Sequence, residues 1–211
     1  MPASQVEDRG RPYWERHAKR YDSSTRLLSR PAPRMLQLAV EAARGKANVL
    51  EVAAGTGLVT TAIAPVVGEL VATDYASEMV KQLEMRGRKA GLLNVRCEQA
   101  DIYGLRFDDE RMDAVFASNV LHLVPDLERA LASLRRVLVP GGLLVAPTYL
   151  HRQTLGAGFL SRLLGLTGFP GHRRFTSATL RDALETAGFS VVREEMIPGP
   201  FPIGYVAAVR S

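Results

Sequence analysis

The stretch A-N-V-L-E-V-A-A-G-T-G, residues 47–57, decides the fold of this chain. Val49, Leu50 and Val52 make residues 47–53 a short, partly β-branched apolar run, the composition of a strand buried on both faces. The run ends in small residues. Gly55 and Gly57 then supply a backbone that can take positive φ or admit another molecule close to the main chain. Residues 58–64 predict the helix that follows, so strand, glycine turn and helix N-terminus together form a cradle for a nucleotide-like ligand. A second strand, 69–73, ends at Asp74, close to the roughly twenty-residue offset at which an acidic side chain meets ribose hydroxyls in dinucleotide-binding folds.

The pyrophosphate-binding pattern G-x-G-x-x-G is absent, because Ala53 stands where its first glycine would be and no glycine follows Gly57 at the third place. The segment Glu51-Val52-Ala53-Ala54-Gly55-Thr56-Gly57 instead resembles the acidic-x-G-x-G-x-G motif of class I S-adenosylmethionine (SAM)-dependent methyltransferases, with alanine for the first glycine. The resemblance extends to Asp74, to Q-A-D-I at 99–102, to M-D-A-V-F-A-S-N at 112–119 and to L-R-R-V-L-V-P-G-G at 134–142. It runs in the family's order over roughly three-quarters of the chain.

That resemblance implies SAM as cofactor, S-adenosylhomocysteine (SAH) as its product, and no metal. Ala53, Gly55 and Gly57 would approach the amino acid end of SAM, with Glu51 orienting the turn or reaching the ammonium. Asp74 would accept the ribose hydroxyls, with Tyr75 and Met79 beside it. Asp101 would take the adenine amino group, the Ile102 backbone a ring nitrogen, and Asn119 would offer its own backbone at a strand end. Tyr21 matches a tyrosine that closes over the cofactor. For the acceptor, the resemblance and position single out His122, Tyr149, His151 and Tyr21 as catalytic candidates. Each has a plainer alternative: Asp74 and Asp101 as turn or capping acids, His122 as a packing residue. The four histidines form no metal-binding pattern.

Strand and helix signals alternate along the whole chain. Residues 34–44 predict a helix, 77–90 another, 94–98 a strand, 113–118 a strand, 126–138 a helix with one apolar face, and 143–149 a strand after Pro140-Gly141-Gly142. Thr176 caps a last helix, and strands at 189–196 and 204–210 pair through a hairpin at 198–202. The expected architecture is α/β: a Rossmann-like, doubly wound, mostly parallel seven-stranded sheet with an antiparallel last strand and an N-terminal lid helix. Right-handed crossovers put the strand C-termini, and with them every motif above, along one edge.

Residues 1–30 form a separate basic lid segment, and 31–211 the methyltransferase domain with a greasy, glycine-interrupted insertion near 150–175. Within 13–28, Trp14, His17, Ala18 and Tyr21 recur at helical spacing beside Arg16, Lys19 and Arg20. Two readings stay open: a lid packed on the domain, or attachment to an anionic membrane surface. The insertion likewise either packs on the sheet, caps an apolar acceptor, or meets a membrane.

Composition narrows the function classes. The 46% apolar and 23% charged residues describe one globular domain, and the single cysteine, Cys97, rules out an internal disulfide and fits a reducing cytosol. A polar N-terminus and the lack of a spanning run predict a cytoplasmic protein, peripheral at most on the inner membrane face. Net charge +5 suits an acidic partner without naming one. The N-P-P-aromatic signature of nucleobase methylation is missing, since Ser118-Asn119-Val120-Leu121 holds that place, so a small molecule is expected and nucleic acid is not. The basic lid and greasy insertion resemble what phospholipid and quinone methyltransferases require, and a phospholipid headgroup amine of phosphatidylethanolamine type is the favoured acceptor. A quinone-precursor C-methyltransferase, a soluble small-molecule N- or O-methyltransferase and a SAM-binding regulator without turnover are the alternatives.

Overall fold

The computed structural model describes residues 10–18, 32–150, 171–199 and 202–211. Tyr21, His151 and most of the expected 150–175 insertion lie outside these residues. In chain order the elements are α1 (Gly10–His17), α2 (Ala32–Ala43), β1 (Asn48–Glu51), α3 (Leu58–Ile63), β2 (Glu69–Asp74), α4 (Ser77–Lys89), β3 (Val95–Gln99), β4 (Met112–Phe116), α5 (Leu127–Val137), β5 (Leu138–Val145), β6 (Thr148–Tyr149), α6 (Ser177–Thr186), β7 (Phe189–Ile197) and β8 (Ile203–Arg210). They form one sheet in the order β3-β2-β1-β4-β5-β8, with β7 on the far side of β8. Strands β3, β2, β1, β4 and β5 pair in parallel, whereas β8 runs antiparallel to both β5 and β7. This is the expected doubly wound sheet with its reversed last strand.

The local sequence explains where the elements begin and end. Helix α5 opens with Asp126, whose carboxylate accepts from Arg129 N at 3.1 Å, and α6 opens with a capping box between Thr176 and Thr179. Strand β1 alternates its burial between the two faces of the sheet: Val49 belongs to one core with Leu38, Ile63 and Phe116, Leu50 to the other with Leu131, Leu134 and Leu180. Both faces are thus covered, as a parallel sheet requires.

The expected 143–149 strand is present as β5 and β6 in unbroken register. Leu143 lies opposite Val209, Val145 opposite Ala207, Thr148 opposite Gly204 and Tyr149 opposite Ile203. Pro147 has no N–H to give to the ladder, so the line divides there and the sheet counts eight segments rather than seven. Residues 138–142 differ from expectation. Leu138 is already paired with Met112, and the Pro140-Gly141-Gly142 turn is absorbed as an irregularity before Leu143 pairs with Ala114.

Candidate functional site

Beyond their last paired residues, the parallel strands are stitched together by main-chain hydrogen bonds along their C-terminal edge. Ala100 N donates to Asp74 O at 3.0 Å, Ala54 N to Thr73 O at 2.9 Å, Val52 N to Phe116 O at 2.9 Å, Ala117 N to Val145 O at 2.9 Å and Asn119 N to Pro147 O at 2.7 Å. The ends of β3, β2, β1, β4 and β5 therefore make one continuous rim, split at β1 and β4 where the winding reverses. That split is the topological switch point at which open α/β sheets bind ligands.

The glycine turn sits at its centre. Ala53, Gly55 and Gly57 all have positive φ, at 51°, 57° and 85°. A Cβ built on Gly55 would meet nothing within 4 Å, so the space above the turn is open to an incoming molecule. Gly57 is needed for a second reason, because a Cβ there would stand 2.6 Å from Leu83 Cδ1. Asp74, 5% exposed, clasps the turn from β2: its Oδ2 accepts from Gly55 N at 2.9 Å and its Oδ1 from Ala76 N at 3.0 Å. Each oxygen keeps a second lone pair for a ligand hydroxyl. Burial pushes its carboxyl above the usual range, the amides of Ala76, Gly55 and Tyr75 pull it down, and Glu15 pushes it up.

Glu51 lies beneath the turn, 2% exposed, and accepts from Thr60 Oγ1 at 2.5 Å. Burial, opposed by that hydroxyl and reinforced by the charge of Asp74, raises its pKa to about 8, so it is mostly protonated at neutral pH without a ligand. A ligand ammonium would restore its charge. Thr60 had no signal in the motif; its place on the inner face of α3, nine residues after Glu51, becomes meaningful only once the helix folds back.

The remaining candidates occupy the rim. Tyr75 is half-buried, and its carbonyl accepts from Gln99 Nε2 at 2.9 Å; Met79 is buried on α4. Asp101 is exposed and makes a turn with Tyr103 N, 3.0 Å from its Oδ1, while Ile102 packs against the core. Asn119 takes a positive φ of 54°. Its Oδ1 and the Ser118 Oγ beside it are buried without a hydrogen-bond partner among the described residues. Unpartnered polar atoms at the switch point suit a polar ligand. His122, 1% exposed, meets Tyr149 edge-on with ring centroids 5.9 Å apart and planes at 82°. The His122 carbonyl also accepts from His172 and Arg173 N–H, both at 3.0 Å. Cys97 sits within β3, where burial raises its thiol pKa, which argues against a thiolate. No cluster of metal-binding side chains occurs among the described residues. A depression lined by Asn48, Glu69, Arg96, Arg106 and Arg111 opens at the opposite edge of the sheet and shares no residue with this crevice.

The open glycine cradle, the acids beneath and beside it, and the unpartnered rim oxygens fit SAM. Fold and motif together resemble those of class I SAM-dependent methyltransferases of the small-molecule type, and residues 50–146 match the family model described as a methyltransferase domain. Among its relatives is the demethylmenaquinone methyltransferase of Thermus thermophilus, 40% identical over 134 residues, 61% of this chain and 60% of that protein. The demethylmenaquinone methyltransferase of Deinococcus radiodurans is 34% identical over 155 residues, 68% of this chain and 63% of that protein. The chain thus spans about three-fifths of the length of these curated relatives. In fold it is similar to magnesium protoporphyrin IX methyltransferase from Synechocystis PCC 6803 with bound SAH, at TM-score 0.77 and 18% identity, over 95% of this chain and 97% of that one.

Proposed function

We propose that this chain moves the methyl group of SAM to a ring carbon of a hydrophobic, quinone-type acceptor. The observation that carries the SAM half of the reading is the Asp74 clasp on an open glycine turn, with Glu51 buried below it. The acceptor half is supported by the demethylmenaquinone methyltransferases named above, which favour a quinone over the phospholipid amine expected from the lid and insertion. When bound, SAM supplies an electrophilic methyl group on a cationic sulfur. Around it Glu51 would ionise against the ammonium, Asp74 would take the ribose hydroxyls, and Asp101 with the Ile102 amide would hold the adenine. Tyr75, Met79 and Asn119 complete the walls.

An aromatic carbon becomes nucleophilic when a hydroxyl conjugated with it gives up its proton. We assign that proton to His122, with the Tyr149 phenol positioning the acceptor; burial raises the Tyr149 pKa, so it stays a donor at neutral pH. Positioning and exclusion of water supply the rest of the rate. The test offers labelled SAM with a reduced demethylnaphthoquinone, with phosphatidylethanolamine vesicles and with neither. Label in the quinol supports the proposal. Label in the lipid alone overturns the acceptor assignment, and SAH binding without transfer to either returns the chain to the regulator class. In the quinol assay His122→Asn should lower kcat by at least about tenfold with SAM affinity unchanged.

A further inference from the structure

Helix α4 begins without a capping side chain of its own. Its N-cap is Ala76, and its first amides donate to a carboxylate that arrives from α1. Ser77 N lies 2.7 Å from Glu15 Oε1, Glu78 N lies 2.9 Å from Glu15 Oε2, and Ser77 Oγ lies 3.5 Å from the same Oε2. An acid at a helix N-terminus satisfies free N–H groups and complements the helix dipole. Here the acid is supplied from more than sixty residues away. Apolar packing extends the contact, with Ala18, Ala76 and Met79 buried together and Trp14 and Tyr75 against them. The Arg11 guanidinium stands 5.3 Å from the centroid of the Tyr75 ring. All of this converges on the turn at 74–77, which Asp74 holds from the other side through Ala76 N.

We propose that Glu15 is a positioning residue for the cofactor: it fastens α1 to the turn at 74–77 and so holds the lid over the ribose end of the crevice. This deepens the SAM reading above and rests on it. Partial burial pushes the Glu15 carboxyl up, yet the amides of Glu78 and Ser77, the Ser77 hydroxyl and the Arg11 charge outweigh it and hold it below its ordinary value. The clasp is therefore charged at neutral pH and releases only as pH falls through that lowered value.

A merely structural cap and a lid fastener can be told apart. Ala76→Ser gives α4 its own capping hydroxyl without restoring the link to α1. Trp14 is the only tryptophan of the chain, so its emission reports the docking of α1 directly. The experiment measures Trp14 emission and calorimetric SAH affinity in the full chain as wild type, Glu15→Ala and Glu15→Ala/Ala76→Ser. The expected result is a red shift and a loss of SAH affinity of about tenfold in both variants, the second cap notwithstanding. Wild-type emission or wild-type affinity in either variant overturns the proposal. A wild-type chain that binds no SAH sinks the SAM reading itself, which is a separate and distinguishable outcome.

Discussion

Ala53 holds a left-handed backbone, φ 51°, at the place where the family motif carries its first glycine. A Cβ in that conformation is strained, and the strain exceeds what alanine gains over glycine by restricting the unfolded chain. Ala53→Gly should accordingly raise stability by roughly 0.5–1 kcal/mol in chemical denaturation. Glu51 makes a second residue-scale prediction. Its folded-state pKa, about 8, stands above the ordinary 4.5, so the folded chain keeps a proton that the unfolded chain releases. Stability of the unliganded protein should be fullest below pH 4.5, fall by on the order of a few kcal/mol as pH rises towards 8, and then level off. Denaturation curves from pH 5 to 8 should show this decline in the wild type and a much flatter profile in Glu51→Gln. Both positions were legible in the sequence, because a motif fixes residue types at fixed spacing. Thr60 and Glu15 were not, since their partners lie across the fold; the one available hint was Ala76, a helix start without a cap.

Among the elements, α2 is tied to β8 by a buried phenol. Tyr205, 1% exposed on β8, donates from Oη to the Leu38 carbonyl at 3.1 Å, and burial, its leading cause, pushes its pKa up to about 12. Tyr205→Phe leaves that carbonyl one partner poorer while keeping the ring, so a loss of about 1 kcal/mol in unfolding free energy is expected. Strand and helix positions were readable from periodicity because burial on one or two faces imposes it. The stretch at 138–142 was not, because Pro140 and Gly141 punctuate a turn equally well between elements or inside a strand. At α1, Trp14 packs towards Ala76 and Met79 and Arg11 is engaged with Tyr75.

Over the whole molecule, net charge +5 was the least informative part of the sequence, since a sum says nothing of where the charges stand, and several arginines have partners within the fold. Arg34 forks onto Glu195 at 2.7 Å through both Nε and Nη2, Arg193 meets Glu41 at 3.0 Å and Arg210 meets Glu110 at 2.8 Å. Such half-exposed pairs add little stability, and they leave the net charge as it was because their acidic partners are already counted in it. Among the described residues no helix is long and apolar enough to cross a membrane. The sheet order has a further consequence, for biosynthesis. Strand β8 is the last strand of this sheet in chain order, yet it fills the slot between β5 and β7. Until residues 203–210 have left the ribosome, the emerging sheet carries two open edges facing an empty lane, each a template for wrong pairing. The domain can therefore close only once residues 203–210 stand outside the ribosome, and a ribosome stalled before that point would hold a sheet whose core is built but whose seam is unsewn.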